Sequence, residues 1–238
     1  MLPPRRSEKL VIGEMLPRLV SDGVASIDRL LRERHLLKHP FYVAWSKGEL
    51  TIPTLQRYAG QYYHFESNFP RYVAAAYAHL TDAKERRVLL DNLVDEEGRD
   101  PTHPELWLDF ASGIGLSRHA AKTARPQPAT RELLRAYEQL TAVDAPSALA
   151  ALYSYESIFP EIAAEKSRGL RAFYGLKDRR AHEFFRVHTG ADVEHSAAER
   201  RLLRGQLDHN AAAGARAVRS ASRAINAWWS FLDAFRCT

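Results

Sequence analysis

The sequence lacks the thiols that disulfides and cysteine-rich metal sites need. Its 238 residues include one cysteine, Cys237, next to the C-terminus. A single cysteine excludes a disulfide within the chain, a CxxC motif and a cysteine-rich zinc site. Because stable disulfides are typical of oxidising compartments, this composition favours a cytoplasmic protein.

Long hydrophobic runs are also missing. The apolar stretches are short and interrupted by charge, whereas a membrane-spanning helix needs about 20 apolar residues. The first residues, MLPPRRSEKLVIGEML, contain two arginines but neither an apolar core nor a small-residue cleavage site, so they do not predict a signal peptide. We therefore expect no membrane as a partner.

The excess of positive charge is small. The chain has 34 lysines and arginines against 29 aspartates and glutamates, a formal net charge of +5. Arginines are concentrated after residue 199 in alanine-rich segments, which is more typical of solvated helix faces than of a surface for phosphates. We therefore expect no nucleic acid as a partner.

Strand signals are scarce, since no Asn-Gly hairpin and no sustained alternation of Val, Ile or Thr occurs. Apolar residues instead recur at intervals of three and four, which predicts an all-α protein. An N-terminal extension at 1–22 is expected to precede one helical domain at 23–238, in which Pro70 kinks a long helix. The predicted helices are 7–22, 23–36, 39–47, 53–80, 83–97, 103–114, 117–123, 130–143, 146–166, 168–174, 178–207 and 209–235.

The stretch FFRVHTGADVEHSAAE contains three possible metal ligands, His188, Asp192 and His195, at spacings of four and three. In a helix these spacings direct the three side chains within an arc of about 60°. Carboxylates and one further histidine stand beside apolar residues elsewhere in the chain, namely Glu96, His103 and Glu156. Three imidazoles and three carboxylates suit iron or manganese and could hold two ions. The alternative is solvated histidines and glutamates that cap helices.

Four motifs resemble a known family: HPFYVAWSKGEL, NLVDEEGRDPTHPELWLDFASGIGL, YSYESIFPEIAAEK and RVHTGADVEH. They are similar to heme-oxygenase-like proteins of the PqqC/TenA group, in the branch named after the chlamydial protein associating with death domains (CADD). The similarity runs from about residue 35 to 207. It implies a seven-helix, heme-oxygenase-like bundle in a single domain, commonly a homodimer, that binds two metal ions, Fe and/or Mn, instead of heme. The implied metal ligands are Glu96, His103, Glu156, His188, Asp192 and His195.

The resemblance also implies an activity, the synthesis of para-aminobenzoate for folate biosynthesis. Enzymes of this branch are thought to consume their own tyrosine as the source of the ring, which corresponds to Tyr42, with a lysine that corresponds to Lys166 as amino donor. Dioxygen as co-substrate, an external reductant and a single turnover follow from this interpretation. Tyr155, beside Glu156, is expected to relay an electron or to bond an intermediate. Without the resemblance, Tyr42 reads as a core aromatic residue and Lys166 as a surface cation.

Other functions stay open at the level of sequence. A dimetal oxygenase could act repeatedly on an external small molecule, or a PqqC-like oxidase or TenA-like hydrolase could work without metal. A death-domain-type protein partner is not expected, because no exposed apolar stripe specifies one. The segment QYYHFESNFP contains Tyr62, Tyr63, His64 and Glu66. One or two of these residues and Tyr155 are predicted to line the pocket, and none of them to bind metal. The remaining histidines are interpreted as structural or exposed.

Overall fold

The computed structural model describes residues 23–208 and 210–235, and within them the chain is helical with no strand. The predicted helix at 7–22 lies outside these residues. Twelve α-helices are described in addition to a short 3₁₀ turn at Leu36–Lys38. They are α1 (Gly23–Glu33), α2 (Pro40–Lys47), α3 (Ile52–Glu66), α4 (Phe69–His79), α5 (Ala83–Glu97), α6 (His103–Gly113), α7 (Arg118–Thr123), α8 (Pro128–Thr141), α9 (Ala145–Glu156), α10 (Phe159–Phe173), α11 (Arg179–Leu207) and α12 (Ala211–Asp233).

Two prolines divide the chain more sharply than the sequence predicted. The expected kink at Pro70 is a complete break, because α3 ends at Glu66 and α4 begins at Phe69. The predicted continuous helix 146–166 is wrong, since it breaks after Glu156 and resumes at Phe159. In both places the proline is the second residue of the new helix, where its missing N–H costs nothing. In a continuous helix its ring would clash with the preceding turn, so the helix breaks before it.

Helix α9 forms the centre of the bundle. All twelve of its residues are buried, and it packs against α4, α8, α11 and α12. Its sequence, APSALAALYSYE, is rich in small residues, which let neighbouring helices approach closely on every side. The helix therefore delivers its last residue, Glu156, to the interior of the protein.

Trp45 fastens α2 to α10. Its indole is fully buried, and its Nε1 donates a hydrogen bond of 3.2 Å to the carbonyl oxygen of Lys166. Gly169, one turn further along α10, leaves room for the ring, because a Cβ built there would lie 2.7 Å from Trp45 Cδ1. This contact fixes the distance between α2, which carries Tyr42, and α10, which carries Lys166.

The helices were also compared with the length and apolarity that a bilayer demands. Within the described residues, none is both long and apolar enough to cross a membrane.

Candidate metal centre

The predicted ligands lie at the ends of three helices and along the middle of a fourth. Glu96 is the penultimate residue of α5, and His103 is the first residue of α6. A capping box between Thr102 and Glu105 satisfies the free N–H groups of that helix end and fixes where α6 begins. Glu156 ends α9, and α11 carries the remaining three predicted ligands, His188, Asp192 and His195.

Ligand atoms from these helices converge in two groups. The first group consists of Glu66, Glu96, His103 and His188, and the second of Glu96, Glu156 and His195. Within each group, one nitrogen or oxygen atom per residue lies within 4.8 Å of the others. Glu96 belongs to both groups, so the two groups share one carboxylate.

Hydrogen bonds orient both histidines of α11 toward the interior. His188 Nδ1 donates to the carbonyl oxygen of Phe184 at 2.7 Å, which leaves Nε2 with a free lone pair. His195 Nε2 lies 3.1 Å from a carboxylate oxygen of Asp95, so that Nδ1 faces Glu156 Oε1, at 3.4 Å. Partners that fix the tautomer and the direction of a metal-binding imidazole are common around metal sites.

Buried polar atoms without partners test whether the residues fit a metal. His103 Nδ1 and Glu96 Oε2 lie 3.0 Å apart but are not aligned as a hydrogen bond. Both oxygens of Asp192, Oε1 of Glu66 and Nδ1 of His195 are also buried without a hydrogen-bond partner. Because an unpaired buried polar group is costly, such a cluster needs a further ligand. Neutral imidazoles and carboxylates are donors that suit iron or manganese.

The ligand cluster contains more carboxyl groups than nearby positive charges can neutralise, and their pKa values are shifted accordingly. Burial, reinforced by neighbouring carboxylates, raises the pKa of Glu66, Asp192 and Glu199 well above the usual range. Burial also lowers the pKa of His188, which keeps this imidazole neutral. Burial would lower the pKa of His195 too, but nearby carboxylates outweigh it and raise the value to about 9. A divalent cation would offset the repulsion among the carboxylates.

Asp192 is buried among the other ligands although it belongs to neither group. Burial raises the pKa of Asp192, and the carboxylates of Glu156 and Glu96 raise it further. A surface cleft of about 270 Å³ adjoins the second group and is lined by residues that include Asn92, Asp95, His195 and Glu199. Asn92 Nδ2 donates to Glu156 Oε1 at 3.0 Å, which holds that carboxylate in place.

Tyr42, Tyr62, Tyr155 and Lys166, which the sequence predicted, are buried together with Tyr58, which it did not; these five residues form the tyrosine–lysine cluster. Tyr63 and His64 are only half-buried and lie outside it. The hydroxyls of Tyr42 and Tyr58 lie 3.1 Å apart, and those of Tyr62 and Tyr155 are hydrogen-bonded. Lys166 Nζ has no hydrogen-bond partner and lies 4.6 Å from the ring centre of Tyr62 and 5.6 Å from that of Tyr42. The sequence argument that Lys166 shares one continuous helix with Glu156 is wrong, but the side chain is fully buried.

Burial governs the ionisation of this cluster. It raises the pKa of Tyr42, Tyr62 and Tyr155, which are therefore neutral phenols. It lowers the pKa of Lys166 well below its usual value, with an opposing effect from Glu66. A lysine of this kind is available as a neutral amine at a lower pH than a solvated one.

Two buried carboxylates were missed by sequence reasoning. Glu66 was assigned to the pocket wall and not to the metal, yet it lies in the first group. The spacing of Tyr58, Tyr62 and Glu66, four residues apart on α3, signals a common face. Glu199 follows His195 by four residues and so extends the spacing of the α11 ligands by one turn, and it too is buried.

A helical bundle with a buried centre of carboxylates and imidazoles is an architecture of metal-dependent oxidoreductases. Residues 56–229 match the family described as iron-containing redox enzymes, and the chain belongs to that family.

The chain is also similar to individual curated proteins and to a solved structure. The chain is 36% identical to a 4-aminobenzoate synthase of Chlamydia trachomatis over 210 residues, which cover 88% of this chain and 90% of the relative. A 4-aminobenzoate synthase of Nitrosomonas europaea is 37% identical over 218 residues, 87% of this chain and 88% of that one. A CADD-like protein of unknown function from Nostoc punctiforme superposes with a TM-score of 0.74, over 92% of this chain and 97% of that one, at 18% identity. The last likeness concerns the fold alone.

Proposed function

We propose that this chain is a 4-aminobenzoate synthase that makes its product from its own residues. The proposal draws its reaction from the relatives that carry this name and are similar over most of their length. It draws its site from the buried centre next to the tyrosine–lysine cluster. Folate biosynthesis is the use that the family resemblance implies for the product.

Two metal ions, of iron or of iron and manganese, would be held by Glu96, His103, Glu156, His188, Asp192 and His195. Glu96 belongs to both groups of ligand atoms and is the candidate bridge. When bound, such ions supply the redox chemistry by which dioxygen becomes an oxidant, with an external reductant restoring them. The hydrogen bonds from His188 to Phe184 and between His195 and Asp95 direct the imidazole lone pairs to the ions.

Tyr42 is the proposed source of the ring. The product has six ring carbons and one carboxyl carbon, the same number as the tyrosine ring together with Cβ, so the bond to Cα must break. The Tyr42 phenol is neutral and buried, and its hydroxyl contacts that of Tyr58 at 3.1 Å. A buried neutral phenol gives up its proton together with an electron, because a charged intermediate would be costly in this environment. The Tyr58 hydroxyl, its hydrogen-bond partner, would relay that proton only by passing on its own, because a doubly protonated phenol would carry a buried charge.

Lys166 is the proposed source of the amino nitrogen. Nζ would bond to the ring carbon that carries the Tyr42 oxygen, and the oxygen would leave as water. The bond between Nζ and Cε of Lys166 would then break by two-electron oxidation to an imine, with dioxygen as electron acceptor, and hydrolysis to an aldehyde at Cε.

Lys166 Nζ has no hydrogen-bond partner and lies 5.6 Å from the ring centre of Tyr42. Because burial lowers its pKa, the amine can be neutral and hence nucleophilic. The hydrogen bond from Trp45 to the Lys166 carbonyl oxygen fixes the position of α10, which carries Lys166, relative to α2, which carries Tyr42.

Tyr155 and Tyr62 would connect the ring source to the metal centre. The rings of Tyr58 and Tyr62 lie 5.6 Å apart, and the hydroxyls of Tyr62 and Tyr155 are hydrogen-bonded. Tyr155 precedes Glu156 in the chain, so the path from Tyr42 ends beside a proposed ligand. We infer that an electron reaches the centre along this path, as expected for neighbouring aromatic side chains.

The burial of the Lys166 amine 5.6 Å from the ring centre of Tyr42 is the observation that supports self-consumption most. Purified protein, given Fe²⁺, a reductant and dioxygen but no organic substrate, is expected to release at most one 4-aminobenzoate per chain. Tyr42→Phe is expected to release none, because the phenol oxygen is the site of oxidation. Tyr72→Phe is the matched control, since Tyr72 is a buried tyrosine that bonds the Leu134 carbonyl elsewhere in the fold.

Full product release by Tyr42→Phe would end the self-consumption proposal. Many products per chain with Tyr42 intact, on addition of a small aromatic compound, would instead identify an oxygenase with an external substrate.

A further inference from the structure

We propose that Glu66 is a seventh metal ligand, which binds at the first group and makes the two metal positions unequal. The proposal rests on the metal centre of the proposed function and deepens it. The first position would be held by Glu66, Glu96, His103 and His188, and the second by Glu96, Glu156 and His195. No motif of the sequence analysis assigns Glu66 to a metal.

Glu66 has the position and the burial of a ligand. It is the last residue of α3, its exposed fraction is 2%, and its Oε1 has no hydrogen-bond partner. This oxygen lies 3.9 Å from His188 Nε2, the nitrogen whose lone pair is free because Nδ1 donates to Phe184. A separation of this size is typical of two ligands that share one ion, since each donor lies about 2.0–2.2 Å from the metal.

Among the described residues, Glu66 has no lysine or arginine as an ion-pair partner. Lys166 is buried nearby, but its Nζ has no hydrogen-bond partner and therefore does not pair directly with Glu66. The neighbouring acid Glu96 repels a charge on Glu66. An ionised buried carboxylate that lacks a partner and faces a second carboxylate is strongly unfavourable, so Glu66 must bind either a proton or a cation. The free lone pair of His188 favours a metal ion.

The two positions would then differ in their donors. The first offers two carboxylates and two imidazoles, whereas the second offers two carboxylates and one imidazole at the edge of the protein, where the His195 side chain is 10% exposed. Asp192 lies in neither group, so the two groups themselves differ in the second imidazole and the complete burial of the first group, and both differences favour tighter binding at the first position. Glu66 also extends the face of Tyr58 and Tyr62 on α3, so the first ion would be the one closer to the tyrosine–lysine cluster.

Titration with Mn²⁺ tests the proposal without relying on turnover. Metal-free protein is titrated with Mn²⁺ while free ion is measured by electron paramagnetic resonance, for the unmodified chain, Glu66→Gln and Glu97→Gln. Glu97 is the matched control because it is an exposed glutamate beside Glu96. The unmodified chain and Glu97→Gln are expected to bind two ions with unequal affinity. Glu66→Gln is expected to lose at least about tenfold in the tighter step, in line with the loss of an interaction at a metal site.

The remaining outcomes separate the two proposals. If the unmodified chain binds two ions and Glu66→Gln binds both with unchanged affinity, Glu66 is not a ligand while the proposed function stands. If the unmodified chain binds no Mn²⁺ or Fe²⁺, the proposed function itself fails. Should Glu66→Gln not fold, a crystal structure of the Mn²⁺-loaded unmodified chain decides. A Glu66 oxygen in the coordination sphere supports the proposal, and a Glu66 side chain turned away from both ions overturns it.

Discussion

Lys166 is costly to the fold. Its side chain is fully buried, and its Nζ has no hydrogen-bond partner. A lysine in this state opposes folding wherever the unfolded chain would carry it as a solvated ammonium ion. Such a residue is expected at a functional site rather than in a core selected for stability.

The stability of Lys166→Met should differ from that of the unmodified chain in a pH-dependent way. Burial lowers the pKa of Lys166, so between its folded value and the unfolded value of about 10.4 the unfolded chain binds more protons. Stability therefore rises with pH in this window. Lys166→Met, which removes the effect, should be more stable at pH 7 by about 1.4 kcal/mol for each unit of pKa depression. Urea unfolding of the metal-free proteins at pH 7 and pH 9 measures it.

The control for this measurement is Lys122→Met, because Lys122 is an exposed lysine of α7. It should change stability little and equally at both pH values. The interpretation of Lys166 would be wrong if its substitution lowered stability at pH 7, or if the gain did not shrink as the pH approached 10.

Helices α2 and α10 show how one small residue positions a pair of reactive groups. Trp45 of α2 packs over Gly169 of α10, so the helices that carry Tyr42 and Lys166 meet at a fixed distance. The glycine is required there because a Cβ would lie 2.7 Å from the indole.

Gly169→Ala is expected to destabilise the protein by about 1–3 kcal/mol, the usual cost of overpacking a core. It should lower product formation as well, since α2 must move away from α10. Gly205→Ala is the matched control, because Gly205 is an exposed helical glycine whose nearest contact to a Cβ is 3.9 Å. That change should be neutral or stabilising by about 0.5–1 kcal/mol. Equal stability of the two variants in thermal unfolding would contradict the role of Gly169.

The sequence predicts best those features that depend on residues close together in the chain. Helix periodicity, caps and prolines act within a few residues, so the all-α class and most helix ends agree with the structure. The break before Phe159 is also local, but a run of small apolar residues hid the effect of Pro160. The failure to assign Glu66 to the metal centre has a non-local cause. Its neighbours His103 and His188 come from other helices, so only the packed bundle brings the three residues together. Glu199 could have been found from the sequence, because it follows His195 by four residues and so lies on the same face of α11.

At the scale of the whole molecule, the bundle collects carboxylates around a small number of imidazoles. Five acidic side chains are buried around the centre, namely Glu66, Glu96, Glu156, Asp192 and Glu199. Their mutual repulsion must be relieved when the chain folds, either by bound protons or by metal ions. We therefore expect metal to be a structural as well as a chemical requirement.

Removal of metal should lower the thermal stability of the protein, and Mn²⁺ should restore it. A ligand that binds only the folded state adds about 2.7 kcal/mol at a concentration one hundred times its dissociation constant. Mg²⁺ is the control ion, because it prefers oxygen donors and should be bound more weakly by a centre with three imidazoles. Differential scanning calorimetry of chelator-treated protein with each ion measures the effect. Equal shifts for both ions, or none, would argue against the proposed centre.

The central claim is that the ring of the product comes from Tyr42. Protein grown with ring-¹³C-labelled tyrosine, purified and supplied with Fe²⁺, reductant and unlabelled dioxygen, tests it most directly by mass spectrometry. Released 4-aminobenzoate is expected to carry the full ring label, and the peptide containing Tyr42 is expected to lose its side chain beyond Cα. Unlabelled 4-aminobenzoate, or labelled product from a chain whose Tyr42 peptide keeps its mass, would contradict it.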